Sequence, residues 1–380
     1  MAIDERTKKL AKLVVNYFLK IKHDSNVIIS GSTEASDFIT ALYKEVIEVG
    51  AHPITRISLP GLGPIFYKYA KEHHIKKFPD IFEYTVKHAQ YYIGIETDTN
   101  TREMTNVDPE KIRNRSIVTH PISDYVCNAK DKIRRATVGY PCLALAQEAE
   151  MSLDEFEDFV FGAMLQDWDK VGSDIKKVLK KFRKGKHVYL LGENVDLQFD
   201  IHGEKALDDL EGDNIPCGEV FMAPVRDSAE GWIKFDYPAI ETGKEVPDIR
   251  LEFKKGKVVK YYASKNEDFL AKMLETDKNS SYLGEFGIGL NPKIKKFTKN
   301  LLFDEKIIGT IHLALGMAYK DSGGGNDSAL HWDIVKDMRK AKIILDGKVI
   351  QENGRWVWSP FHCYLTSRTA SPEADWCVGG

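Results

Sequence analysis

The sequence predicts an α/β protein: an N-terminal open, mostly parallel sheet covered by helices, followed by a β-rich α+β domain that carries the chemistry. Three observations predict it. Helical and strand-like hydrophobic periods alternate through the first half. After about residue 185 the texture changes to short apolar runs punctuated by glycine, as in strands joined by tight turns. A chain of 380 residues is also longer than one small core usually organises. The expected division is 1–185, an N-terminal α/β domain, and 186–358, a C-terminal β-rich domain. Residues 359–380 form an aperiodic tail, read as mobile or non-native and set aside from the site despite His362, Cys363 and Cys377.

Between Glu5 and Ile21, Leu10, Leu13, Val14, Tyr17 and Phe18 recur at helical intervals. Asn26-Val27-Ile28-Ile29-Ser30 follows as a short apolar strand. Ser32 and Thr33 precede Glu34 and the periodic set Phe38, Leu42, Val46 and Ile47, which predicts a helix that Gly50 stops. Ile54–Ile57, Tyr91–Ile95 and Ser116–Thr119 read as further strands of the same layer. No G-x-G-x-x-G follows any of them. Gly61-Leu62-Gly63-Pro64 puts a proline where a phosphate loop needs backbone donors, so nucleotide binding is not predicted. In the basic run Lys176–Lys186 the charges alternate with Val178, Leu179 and Phe182, the pattern of an amphipathic helix with a solvated cationic face. His187–Leu191 then opens the second domain as a strand.

Hydrophobic residues at 43% and charged residues at 29% are ordinary globular values, so the chain should fold compactly. The net charge of -3 leaves no chain-wide basic field, and neither a nucleic acid nor a membrane is an expected partner. No stretch approaches the roughly 18 consecutive apolar residues a membrane span needs, and the N-terminal residues lack the pattern of a signal peptide. The expectation is a cytoplasmic protein. Its five cysteines are odd in number and scattered, without a C-x-x-C pair. They predict reduced, mostly buried thiols, and neither a zinc ribbon nor a disulfide framework.

The chemistry gathers in four segments: Cys217-Gly218-Glu219-Val220-Phe221, Gly284–Gly289 (GEFGIG), Gly309–Gly316 (GTIHLALG) and His331-Trp332-Asp333. Each sets a metal-capable side chain among small or apolar neighbours, where an unpaired charge is expensive. Taken singly, a buried glutamate more often pairs with Lys or Arg, and a histidine in an apolar run is more often a satisfied core residue. As a set they point elsewhere. His331 and Asp333, one residue apart, share a face of an extended strand. Gly323-Gly324-Gly325-Asn326 just before them lets the chain turn back toward the other segments. Three carboxylates and two imidazoles exceed the roughly three protein ligands of a single catalytic zinc. A two-metal site fits better, its ions roughly 3.5–4 Å apart, sharing a carboxylate and a water and polarising a scissile carbonyl.

These blocks resemble the thermophilic aminopeptidase T family of metallopeptidases. The matching segments are GEVF-AP from Gly218, GEFGIG-NP from Gly284, DEK-x-x-GTIHLALG-x-x-Y from Asp304 and N-x-S-x-x-HWD from Asn326. The resemblance is strong from Gly218 to Asp333, extends weakly through the first domain, where Val49-Gly50-Ala51 is also similar, and stops near Trp358. It implies that Glu219, Glu285, His312, His331 and Asp333 ligate two divalent ions, with Zn, Co, Mn and Mg as candidates. It implies a catalytic role for Tyr319 as donor to the oxyanion; packing on a helix after His312 is the alternative for that tyrosine. Asp304-Glu305-Lys306 matches too, and an ion pair supporting the metal shell is its modest reading. The short His312–His331 interval and the tail depart from the family pattern and bear on the pocket's shape.

The function expected is a metal-dependent aminopeptidase acting on peptides with broad or hydrophobic N-terminal preference. A metal-activated water attacks, and Glu285 shuttles the proton as catalytic residue. The resemblance also implies a homodimer. One rival is a mononuclear Fe(II) ring-cleaving dioxygenase using His312, His331 and Asp333, which would leave Glu219 and Glu285 without a partner. The other is a non-catalytic peptide- or metal-binding protein.

Overall fold

The computed structural model of the chain describes residues 3–129, 131–241 and 243–358. Helix α1 (Glu5–Leu13) begins at Asp4, whose carboxylate accepts from the Arg6 N–H, and continues through a π turn over Val14–Phe18. Leu10, Val14, Val15 and Phe18 turn inward from it. Strand β1 (Asn26–Ser32), helix α2 (Ser36–Glu48) and strand β2 (His52–Ser58) follow where the periodicity places them. Gly50, at φ 76°, turns the chain out of α2 in the left-handed region that a side chain disfavours.

With β3 (Tyr91–Glu96) and β4 (Arg134–Gly139) these strands form a parallel sheet in the order β2-β1-β3-β4, extended by the short strand Asn214–Ile215. One expected strand is absent from it. Ser116–Thr119 lies within α3 (Pro109–Asn128). There the start signal overrides the β-branched run: Asp108 caps the first turn by accepting from the Glu110 N–H, and Pro109 supplies a preset φ. Ile117 stays 61% exposed, so no sheet holds it, and the Thr119 hydroxyl donates to the Arg115 carbonyl within the helix. The fourth parallel strand is Arg134–Gly139 instead.

Helix α4 (Trp168–Phe182) buries Trp168, Val171, Ile175, Val178, Leu179 and Phe182 and exposes Lys176, Lys177 and Lys180. Beyond it, apart from Asn214–Ile215, the strands pair antiparallel. Eight strands between His187 and Trp356 make one sheet. A third sheet consists of β5 (Glu219–Met222), β6 (Leu283–Gly289), β7 (Thr310–Gly316) and β8 (His331–Asp337), ordered β8-β7-β6-β5 and edged by Leu207–Asp208. Every residue of β6 and β7 is buried, so both strands read as continuous apolar or small runs rather than alternating ones. Phe286 of β6 joins the layers, its ring 5.9 Å from Phe182 of α4 and 5.1 Å from Phe199 of the eight-stranded sheet.

Cys142 and Cys217 are buried free thiols, whereas Cys127, near the end of α3, is exposed. Cys363, Cys377, His362 and the remainder of 359–380 lie outside the described residues. No helix among the described residues is long and apolar enough to cross a membrane.

Because Phe286 is fully buried between two other rings, Phe286→Ala should destabilise the fold by about 3–5 kcal/mol, read as a drop in the denaturant midpoint. A loss below about 1 kcal/mol would mean the layers are not joined through this ring.

Candidate metal centre

Strand register decides which side chains meet. Gly287 faces His312 and Glu285 faces Ala314 across β6 and β7. Ala314 faces Asp333 and Gly316 faces His331 across β7 and β8. Gly289 faces Glu219 across β6 and β5. Paired residues, and residues two apart on one strand, share a face. Glu219, Glu285, His312, His331 and Asp333 therefore all project from the same side of the sheet, interspersed with glycine and alanine. The opposite side carries Val220, Met222, Phe286, Ile288, Leu313, Leu315, Trp332 and Ile334, all buried. The glycine of the GEFGIG run opposite His312 has a steric task. A Cβ on Gly287 would stand 1.8 Å from His312 Nε2, so only glycine lets the imidazole lie across β6.

The five predicted residues converge. His312 Nε2 lies 3.3 Å from Glu219 Oε2 and 3.5 Å from Glu285 Oε1. His331 Nε2 lies 3.2 Å from Asp333 Oδ2. Donor atoms of Glu285, His312 and Asp333 stand within 4.8 Å of one another. His331 Nδ1 is 2.9 Å from the Met317 carbonyl, an arrangement in which Nδ1–H donates and Nε2 is left free toward the cluster. Tyr319, which precedes a 3-10 turn rather than packing on a helix, sets its ring 4.8 Å from that of His331 and 6.1 Å from Phe221.

The electrostatics are those of an anionic pocket. Burial pushes the Glu285 carboxyl above its ordinary value. Burial alone would push the two imidazoles down, yet the surrounding carboxylates overcome it: His312 rises to about 9 beside Glu285, Glu219 and Asp333, and His331 to about 10 beside Asp333. Burial acts on Asp333 in the raising direction, but the neighbouring His331 and His312 hold it below the usual aspartate value. The pocket draws protons because positive charge is what it lacks.

Two further observations test whether a cation fits. Among the described residues, Glu219 Oε2, Asp333 Oδ1 and both ring nitrogens of His312 are buried without a hydrogen-bond partner, though such atoms are nearly always paired. All are oxygen or imidazole donors, the set that suits zinc, manganese or cobalt. A divalent ion would satisfy them and offset the carboxylates together. The residues fit the group.

Other members of the site were not assigned from sequence. Lys306 is wholly buried, its Nζ 3.0 Å from Glu219 Oε1 and 2.6 Å from Glu305 Oε2. This gives the Asp304-Glu305-Lys306 block the ion-pair task that was its modest reading. Burial carries the Glu305 carboxyl up to about 7 against the opposing pull of Lys306. Asp209, just past the edge strand Leu207–Asp208, is buried, and its carboxylate accepts from the N–H groups of Gly218 and Glu219 at 2.8–3.1 Å. Burial and the neighbouring Glu219 raise it to about 8. Asn291 donates from Nδ2 to the carbonyls of Cys217 and Ala163, tying the loop before Glu219 to the N-terminal half. Nothing in the acidic, turn-like stretch around Asp209 distinguishes it from a solvated loop. Asn291 does stand beside Pro292 in one of the matching blocks.

The chain matches the thermophilic metalloprotease (M29) family over residues 3–356. Aminopeptidase AmpS of Bacillus subtilis (strain 168) is 23% identical across 94% of this chain and 100% of that protein. Aminopeptidase T of Thermus aquaticus is 31% identical over 169 residues, 38% of this chain and 40% of that protein. Among solved structures, wild-type AmpT from Thermus thermophilus superposes with a TM-score of 0.82 at 22% identity, covering 94% of this chain and 100% of that one. 2,5-Dihydroxypyridine dioxygenase from Pseudomonas putida KT2440 follows at 0.61 and 14%, covering 93% and 97%. At these identities the structural likenesses speak to the fold alone. The family match runs nearly from end to end, and on that ground the chain belongs to the thermophilic metalloprotease (M29) family.

Proposed function

We propose that this chain is a metal-dependent aminopeptidase that hydrolyses the N-terminal bond of peptides, using two divalent cations held among Glu219, Glu285, His312, His331 and Asp333. The observation that carries the reading is the single sheet face on which all five stand, with buried donor atoms left unpaired. Membership of a metalloprotease family supports a divalent metal, and relatives named aminopeptidases support exopeptidase action. Zinc, cobalt, manganese and magnesium are all compatible with the oxygen and imidazole donors.

Bound ions supply Lewis acidity for the peptide carbonyl and acidify the attacking water. The chain's residues do the rest. Glu285 would accept the proton of that water on a carboxylate oxygen and return it to the departing amine. Tyr319 O–H donates to the oxygen on which charge develops. The Tyr319 and Phe221 rings lay aromatic surface beside His331, which favours apolar N-terminal side chains. Ile57, Leu59, Ile65, Tyr69 and Ile81 are exposed apolar residues of the N-terminal half, in keeping with a homodimer. Free thiols at Cys142 and Cys217 are in keeping with the cytoplasm. The dioxygenase alternative shares the fold at 14% identity. It is disfavoured because Glu219 and Glu285 stand beside His312, where a site of two histidines and one carboxylate has no use for them.

Chelation should abolish release of leucine from leucyl peptides, and zinc, cobalt or manganese should restore it, with N-acetylated peptides left uncut. Chelator-resistant cleavage, or equal cleavage of the blocked peptide, would refute the reading. Tyr319→Phe should lower kcat about 10²-fold with little change in KM, since the phenol acts in the transition state. Unchanged kcat would remove Tyr319 from the chemistry.

A further inference from the structure

We propose that Lys306 is a positioning residue for the metal centre: its ammonium holds one oxygen of Glu219 together with the carboxylate of Glu305, so that Glu219 offers a single oxygen to a cation and Glu305 stays out of the ligand set. The inference rests on the aminopeptidase reading of this site.

The two oxygens of Glu219 have different surroundings. Oε1 lies 3.0 Å from Lys306 Nζ, whereas Oε2 is buried, has no hydrogen-bond partner among the described residues and lies 3.3 Å from His312 Nε2. A carboxylate free to rotate would exchange them. The contact with Lys306 prevents that, and the backbone beneath is held as well, since Asp209 accepts from the N–H groups of both Gly218 and Glu219. Lys306 is itself braced to the same loop. Its carbonyl accepts from the Asn291 N–H at 3.0 Å, while Asn291 Nδ2 donates to the Cys217 carbonyl at 2.8 Å. Ligand loop and lysine thus share one asparagine, and neither shifts without the other. Glu305 Oε2, 2.6 Å from the same ammonium, is the second carboxylate it holds.

A lysine inside a metal site has two possible effects of opposite sign. As a mere like charge it repels the incoming ion, and its removal tightens metal binding. As a positioning group it presents Glu219 correctly, and its removal loosens binding, typically by about 10–100-fold for a residue that orients a ligand. The geometry points to the second.

Calorimetric titration of the metal-free full chain with Zn²⁺ and Mn²⁺ distinguishes them, with the melting temperature of each metal-free protein measured alongside. Lys306→Gln should bind about 10–100-fold more weakly than the parent. Glu305→Gln should leave the affinity unchanged, while Glu219→Gln should lower it. A purely structural lysine would lower the melting temperature and leave the affinity of the folded protein intact, which would overturn the proposal, as would tighter binding by Lys306→Gln. If Lys306→Gln does not fold, Glu305→Gln still decides: a loss as large as that of Glu219→Gln makes Glu305 a ligand and the proposal wrong. A parent chain that binds neither metal would instead refute the metalloenzyme reading itself.

Discussion

The constraint on which the structure depends is an excess of negative charge buried on one face of a β-sheet. Glu219, Glu285 and Asp333 are buried there, Glu305 lies nearly buried beside them, and among the described residues Lys306 brings its ammonium to Glu219 and Glu305. Carboxylates taken from water without compensation are strongly unfavourable, and the arrangement is tolerable because positive charge can enter. Lys306 supplies one fixed unit, and protons on His312 and His331 supply more. Divalent cations would supply the rest while pairing the donor atoms that otherwise lack partners. Much of the sheet answers this need. Gly287 leaves room for the His312 ring, and Gly289, Ala314 and Gly316 stand opposite Glu219, Asp333 and His331. The other face is filled with large apolar side chains that hold the strands in register.

Much of this was legible in the sequence because metal donors are chemically distinctive and the strands carrying them are short and glycine-marked. His331 and Asp333 lie one residue apart, so a common face follows from strand geometry alone. The helices and strands from Glu5 to Ile57 were readable from period and from capping residues such as Ser32 and Gly50. The failure at Ser116–Thr119 has a physical cause: a short β-branched run fits strand or helix equally, and Asp108-Pro109, eight residues upstream, decided for the helix. Asp209 was not legible, because its role arises from accepting two backbone N–H groups of a loop brought beside it by folding. Lys306 was legible as a member of a block but not in its task, since which carboxylate a lysine meets depends on tertiary contact.

The N-terminal layer and the sheet of β5–β8 share one hydrophobic core, and specific polar and aromatic contacts add to it. Asn291 donates to the Ala163 carbonyl and accepts from Gln166 Nε2, Asn300 donates to Glu96 at the end of β3, and Phe303 packs near Phe156 and Phe159. The segment Asn291–Lys306 thus touches both the parallel layer and the carboxylate cluster. A fold shared with a dioxygenase at 14% identity shows how little the architecture alone says about the reaction. What separates the two readings here is local: Glu219 and Glu285 stand beside His312, where a mononuclear iron site of two histidines and one carboxylate has no use for them.

The account's central claim is that this cluster holds two divalent ions. An anomalous difference map from crystals of the full chain grown with Mn²⁺ tests it most directly. Two peaks roughly 3.5–4 Å apart are expected, with Glu219, Glu285, His312, His331 and Asp333 divided between them and each within coordination distance of at least one. A single peak on His312, His331 and Asp333 alone, or none in the cluster, would contradict it.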